Sequence, residues 1–366
     1  MLAKQHHEPA RASRTRTRTV RTPLVSSRPT NSLKTRAMDA AQPFDFEAQE
    51  AERRNAARRM RVGIVGFGTF GQFLARRIVQ QGHEVIATSR GDYADKAAEI
   101  GVSAYYRDAD DFAEAHPDVV VLCTSILSTE SVLAALPLQR LLRSTLVVDV
   151  LSVKAFPKDV LLRRLPKSFD ILCTHPMFGP DSGRGSWEGL TFMYDPVRVA
   201  PDLGNAANGK LTRSQRLAAF LDIFSSEGCR MVEMTCEEHD RLAASSQFIT
   251  HTIGRVLGAM KLEDTAINTR GYESLLSLVE NTANDSFDLY YGLFMYNDNS
   301  IEELHRLEQS FDDIKQRLFA QLHARVRAEL FSGSSVEGAK KLPDVLHGNG
   351  HAATAASESP EAHARR

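Results

Sequence analysis

The chain has 366 residues, 42% of them hydrophobic and 25% charged, which suits a soluble globular protein of about two domains and excludes a low-complexity or fibrous one. No apolar run approaches the ~20 residues needed to span a bilayer, so no membrane partner is expected. The formal net charge of −1 conceals an asymmetry: residues 1–40 carry nine Lys or Arg against Glu8 and Asp39, leaving a net of −8 for the remainder.

That basic leader is rich in Arg, Ser and Thr, poor in acids, and has no apolar core of the secretory kind. It reads as an organelle transit peptide, with plastid and mitochondrion left open by composition. A nucleic-acid-binding arm would call for interleaved aromatics and a following nucleic-acid fold, and neither is present, so no nucleic-acid partner is expected. Residues 41–59 read as a short helical lead-in. The four cysteines, Cys123, Cys173, Cys229 and Cys236, have no metal-ligand spacing and read as reduced, mostly buried thiols; no metal is expected.

The folded body opens with the strand Val62–Val65, a glycine turn Gly66-Phe67-Gly68-Thr69-Phe70-Gly71, and a helix through Gln80. Strand, glycine turn and helix in that order are what a dinucleotide pyrophosphate requires. Gly66 allows the turn, Gly68 lets backbone approach the phosphates, and Gly71 lets helix pack on strand. The helix N-terminus adds unpaired amides and a partial positive charge. Thr69, Phe70 and Ser125 are counted with the cofactor contacts.

The second strand, Glu84–Thr88, ends at Ser89-Arg90-Gly91-Asp92. An NAD site would place an acid there for the ribose 2′-hydroxyl; a hydroxyl and a guanidinium suit a 2′-phosphate instead, so NADP is expected. Asp92 lies two residues further on, in the loop. Strands at 103–105, 119–123, 146–149 and 169–174 follow, with helical patterns at 93–100, 128–136 and 158–165 between them. This alternation predicts a doubly wound, mostly parallel, Rossmann-like α/β sheet. Further strands at 193–194 and 230–234 close a cofactor domain of residues 60–236, with 200–210 a surface loop. From Glu237 the pattern is helical, at 238–260, 272–279, 286–297 and 300–331. This predicts an all-helical second domain, 237–331, that covers the cleft and pairs subunits in a homodimer. The tail, 332–366, has no periodicity and reads as disordered.

Three places beyond the glycine turn carry chemistry. Ser152 follows the strand ending at Asp149, whose C-terminal end faces the cofactor crevice. His175 ends the next strand on the same edge; followed by Pro176 and Gly179, it is expected in a loop, poised as a general base. The run Ser245–Thr252 is polar within an apolar helix. Its groups need either a ligand or interhelical hydrogen bonds, and the sequence leaves both open.

These residues resemble the plant and algal arogenate dehydrogenases, within the prephenate dehydrogenase superfamily. The resemblance rests on GIVGFGTFGQFLA around Gly66–Gly71, THPMFGPDSG at 174–183, SSQFITHTIGR at 245–255 and VENTANDSFDLYYGLFMYN at 279–297. It covers about residues 41–331 and implies NADP-dependent oxidative decarboxylation of L-arogenate to L-tyrosine in the plastid stroma, with tyrosine as a feedback inhibitor. It implies His175 as the catalytic base, Ser152 as its partner at the substrate hydroxyl, and Gln247 and Thr250 as substrate contacts. Asp285 falls where the family carries an acid for the α-ammonium of arogenate, although it could equally cap the helix that starts at Ser286. The segment before Asp285 lacks the Arg found in bacterial prephenate dehydrogenases. Arg255 is the substitute for holding the ring carboxylate, with Arg184 and Arg270 as weaker ones. A prephenate dehydrogenase of the same fold and a non-catalytic NADP sensor are the rival readings.

Overall fold

A computed structural model of the chain describes residues 59–202, 210–283 and 286–331. The leader, nearly all of the lead-in at 41–59, part of the 200–210 loop, Asp285 and the tail lie outside the described residues.

Eight strands form one sheet in the order β3-β2-β1-β4-β5-β6-β7-β8. They are β1 (Arg61–Val65), β2 (Glu84–Thr88), β3 (Ala104–Tyr106), β4 (Val119–Leu122), β5 (Leu146–Asp149), β6 (Asp170–Pro176), β7 (Thr191–Arg198) and β8 (Arg230–Glu233). All pairs are parallel except β6 with β7. Side chains alternate between the two faces, and both faces are buried. Val62, Ile64, Val119, Val121 and Val148 fill one core, while Val65, Val120, Leu122, Val147 and Ile171 fill the other.

The helices packed against this sheet are α1 (Thr69–Gln80), α2 (Ala94–Ile100), α3 (Ala109–Glu114), α4 (Thr129–Ala135), α5 (Ala155–Arg164) and α6 (Arg213–Ser225). Two of these, α3 and α6, were not expected. Both have side-chain caps: Asp108 accepts from the Asp110 and Asp111 amides, and Thr212 with Gln215 forms a reciprocal capping box. Strand β6 also runs two residues beyond expectation. Antiparallel pairing of His175 with Met193 and of Pro176 with Phe192 extends it. His175 therefore sits in a strand with 4% of its surface exposed, rather than in a loop.

The remaining helices are α7 (Cys236–Ala243), α8 (Ile249–Ala259), α9 (Arg270–Ala283), α10 (Phe287–Met295) and α11 (Ser300–Phe331). A π-helical turn at Ala244–Phe248 separates α7 from α8 where one continuous helix was expected. Ile126, Leu151, Val153, Phe248 and Leu293 form a third, small core that joins the loops after β4 and β5 to these helices. It fixes the floor of the site described next. Helix α11 is exposed along nearly its whole length and carries Phe311, Ile314, Leu318 and Phe319 into solvent. Among the described residues, no helix is long and apolar enough to cross a membrane.

Helices α8 and α9 approach through Gly254. A Cβ there would lie 2.9 Å from Thr282 Cγ2 and 3.0 Å from its Cβ. Thr282 is held in place by hydrogen bonds from its hydroxyl to the carbonyls of Leu278 (2.9 Å) and Val279 (3.2 Å). Gly254→Ala therefore sets a helix-propensity gain of about 1 kcal/mol against an overpacking cost of about 1–3 kcal/mol. The expected outcome is a lower melting temperature in a thermal scan. An unchanged or raised one would mean that α9 yields freely.

Candidate active site

Parallel strands deliver the ends of β1, β4 and β5 to the same edge of the sheet, and two adjoining cavities open there. Helix α1 begins at Gly68 with no side-chain cap, so the first-turn amides have no acceptor within the helix. Gly66 has φ +96°, and a Cβ on it would strike the Cys123 carbonyl; a Cβ on Gly71 would strike the Gly66 carbonyl. Gly68 has nothing within 4 Å of its Cβ direction, so the backbone is open to a ligand on that side. An uncapped helix N-terminus behind an open glycine is the environment that a pyrophosphate fits.

The first cavity, of about 440 Å³, extends from this turn past Ser89 and Arg90, with Arg107 and Tyr93 beside them. Sequence reasoning missed Arg107. It follows β3 and reaches the ribose end of the crevice only through the fold, so no local signal marked it. Asp92, the acid considered for an NAD site, is ion-paired with Arg107 at 2.7 Å and does not line the cavity. Cys123, Thr124 and Ser125, at the end of β4, line both cavities.

The second cavity, of about 610 Å³, is bounded by Thr69 and Phe70 from α1, Ser152 after β5, His175 and the segment to Asp181, and Gln247, His251, Ser286 and Leu289 from the helices. It thus brings together Ser125, Ser152, His175 and Gln247 from the expected set. Gln247 Oε1 is buried and has no hydrogen-bond partner among the described residues, and a buried acceptor that lines a cavity calls for a donor from what occupies it, ligand or water.

Elsewhere in the polar run the side chains bond within the protein. Ser245 and Ser246 donate to the Leu242 carbonyl, and Thr252 to that of Phe248. Thr250 and Arg255 are not among the cavity-lining residues. The π turn and the start of α8 put Gln247 and His251, four residues apart, on the cavity face, while Thr250 is exposed. The Arg255 guanidinium donates to the Ser286 carbonyl at 3.2 Å and stacks over Tyr290 and Phe287. Arg184 is an exposed partner of Asp181. The cap of α10 is Ser286, whose hydroxyl accepts from the Leu289 amide at 3.1 Å.

Below the cavity floor lies a fully buried ion pair, Lys154 with Asp149. Lys154 also donates to the Thr174 carbonyl at 2.5 Å, and Asp149 accepts from the Leu151 amide at 3.1 Å. Burial pushes the Asp149 carboxyl upward while Lys154 pulls it down. Removing one partner from such a pair costs about 3–5 kcal/mol, so the pair holds the Asp149–Lys154 segment, and Ser152 with it, in one conformation. His175 lies close by, and its pKa is driven well below the ordinary value of 6.5, first by burial, then by His239 and Lys154. The ring is therefore neutral at physiological pH and able to accept a proton. Its Nδ1 is 2.8 Å from His239 Nε2.

Two family models match parts of the chain. Residues 61–153 match the NADP oxidoreductase, coenzyme F420-dependent, model. Residues 256–330 match the TYRAAT1-like, C-terminal domain model. Arogenate dehydrogenase 2, chloroplastic, of Arabidopsis thaliana is 53% identical over 322 residues, covering 88% of this chain and 87% of that protein. Arogenate dehydrogenase 1, chloroplastic, of the same plant is 55% identical over 307 residues, which is 84% of this chain and 47% of that protein. Among solved structures, prephenate dehydrogenase from A. aeolicus, in complex with hydroxyphenyl propionate and NAD+, superposes with a TM-score of 0.55 at 18% identity, covering 74% of this chain and 94% of the other. Synechocystis arogenate dehydrogenase gives a TM-score of 0.51 at 18% identity over 74% and 97%. At that identity the two structures support the fold alone.

Proposed function

This chain belongs to the arogenate dehydrogenase family, and we propose that it oxidatively decarboxylates L-arogenate to L-tyrosine with NADP+ as hydride acceptor. The observation that carries the reading is the second cavity, where a buried neutral histidine, a serine and an unpartnered glutamine acceptor adjoin the glycine turn.

A nicotinamide dinucleotide held along the glycine turn and the first cavity would supply the hydride acceptor for the ring carbon that bears the hydroxyl. His175 takes the hydroxyl proton as the hydride leaves, so a carbonyl forms at that carbon. The ring carboxylate then departs as carbon dioxide, and its electron pair flows through the ring to the carbonyl oxygen. His175 returns its proton there, which completes the phenol of tyrosine. Ser152, which lines the same cavity as His175 and follows the buried Asp149–Lys154 pair, would hydrogen-bond the substrate hydroxyl and orient the nicotinamide amide. Gln247 contacts the substrate.

Asp285 is assigned to the α-ammonium of arogenate. Its neighbour Ser286 lines the cavity and supplies the cap of α10, so capping does not account for an acid at 285. Charge pairing there favours the amino acid over the corresponding keto acid, and tyrosine, which keeps the ammonium, becomes a competitive inhibitor. Ser89, Arg90 and Arg107 are assigned to the 2′-phosphate of NADP+; two guanidiniums and a hydroxyl suit a dianion. Thr250 and Arg255 keep a place in the proposal at the edge of the substrate site, outside the cavity lining. The exposed apolar face of α11 supports a homodimer, and the basic leader together with the plastid names of the relatives supports the plastid stroma.

The purified protein given NADP+ and L-arogenate is expected to form tyrosine and NADPH in equal amounts, with much slower turnover of prephenate. Asp285→Asn should narrow that gap, at a cost of roughly 1.5–3 kcal/mol with arogenate. Failure to reduce NADP+ with arogenate, alongside rapid turnover of prephenate, would overturn the substrate assignment.

The base is read by pH. Because burial lowers the pKa of His175, its active neutral form persists as pH falls through 6.5, and the acidic limb of kcat/KM is expected below that value. His175→Asn should lower kcat by about a hundredfold to ten-thousandfold while NADP+ still binds. An acidic limb above pH 6.5 would contradict the assignment.

Calorimetric titration of NADP+ and NAD+ checks the third assignment. Arg107→Ala and Arg90→Ala should each weaken NADP+ by about tenfold or more, as loss of a charge-assisted bond implies, and leave NAD+ almost unchanged. Equal losses for the two cofactors would remove these arginines from the 2′-phosphate site.

A further inference from the structure

We propose that His239 and Asp240, which stand behind the cavity and line no part of it, are positioning residues that fix the tautomer of His175. The proposal rests on the reading of His175 as the base.

Asp240 is buried, and both its carboxylate oxygens are engaged. Oδ1 accepts from the Lys154 amide at 2.8 Å and Oδ2 from the Ala155 amide at 2.8 Å. Oδ1 is also 2.9 Å from His239 Nδ1. An ionised carboxylate can only accept, so His239 Nδ1 must carry a hydrogen. Neutral His239 then has a bare Nε2, which can only accept. Its partner at 2.8 Å is His175 Nδ1, which must therefore be the donor. A neutral imidazole has one N–H, so His175 Nε2 is left bare for the cavity that the ring lines. A chain of two hydrogen bonds ending at Asp240 thus decides which nitrogen can accept the substrate proton.

The reverse arrangement would be inactive. If His239 donated through both nitrogens, His175 Nδ1 would accept, and the neutral ring would present Nε2–H to the substrate. All three side chains are buried, each with 4% or less of its surface exposed, so each depends on the other two for its hydrogen bonds on the side away from the cavity. The depressed basicity of His175, which keeps the ring neutral, is consistent with this arrangement.

Asp240 serves a second purpose with the same two oxygens. Lys154 and Ala155 open helix α5, immediately after Ser152 and Val153. One carboxylate therefore positions the base through His239 and the serine segment through backbone amides. Asn297, donating to the Asp240 carbonyl at 2.7 Å, ties that residue to the segment after α10.

Two measurements test the tautomer claim separately from the function. In protein carrying ¹⁵N-histidine, the His175 resonances are identified by their loss in His175→Asn. The expected wild-type signature is a protonated Nδ1 and an unprotonated Nε2; a protonated Nε2 in the neutral ring overturns the proposal even if arogenate turnover is intact. In steady state, His239→Leu is expected to lower kcat on the order of a hundredfold, with KM and NADP+ affinity within about threefold. His239→Gln, which retains an acceptor oxygen, should recover at least tenfold of that loss. A kcat within twofold of wild type in His239→Leu, or equal losses in the Leu and Gln variants with KM and cofactor affinity falling in parallel, would reduce His239 to a packing residue.

Discussion

Asp240 is the residue on which the site depends, because its carboxylate and backbone carbonyl together join three separate parts of the chain. Its carboxylate accepts from two consecutive amides at the start of α5 and lies within hydrogen-bond distance of His239 Nδ1, and its backbone carbonyl accepts from Asn297. Residues 152, 175 and 247 lie on different elements, and nothing in their local sequence holds them together. A buried acceptor with several committed donors supplies a shared geometric reference. Its removal would leave buried donors unpaired, at about 1–3 kcal/mol for each.

Around that reference the sheet does the coarse positioning. Parallel strands necessarily bring their C-terminal ends to one edge, which gathers the glycine turn, Ser125, Ser152 and His175. The one antiparallel pair, β6 with β7, departs from that pattern where the candidate base lies. Pairing with Met193 of β7 keeps His175 within a strand, where it is buried. Burial then lowers its basicity, and the neutral imidazole results from the topology as well as from its neighbours. The buried Asp149–Lys154 pair adds rigidity to the floor rather than net stability, since desolvation offsets most of its attraction.

Much of this was legible in the sequence where the signal is local. The glycine turn, the β-branched strands and the switch to helical periodicity each depend on spacing within a few residues, and the sheet follows from them. Helix α6 was also legible in principle, through Thr212 and Gln215, but its sequence follows a loop rich in Gly, Asn and Pro that masks the start. The end of β6 was misjudged because Pro176 and Gly179 resemble turn residues, whereas cross-strand pairing with β7 is a long-range property. Arg107 and His239 carry no local mark. One reaches the cofactor crevice from the strand after the expected cofactor residues, and the other acts only through a partner 64 residues away. The π turn that sends Gln247 and His251 into the cavity, and Thr250 away from it, is likewise invisible in a run of helix-compatible residues.

In the proposed reaction, hydride leaves the substrate in the second cavity, next to the cofactor, and a side chain of the protein removes the proton. The most direct measurement is the fate of a label. L-Arogenate carrying deuterium on the ring carbon that bears the hydroxyl would be turned over with NADP+, and the products would be analysed by mass spectrometry. One deuterium is expected in the reduced nicotinamide for each tyrosine formed, and none in the water. Deuterium released to solvent, with an unlabelled nicotinamide, would contradict direct transfer and with it the assigned arrangement of cofactor, substrate and His175.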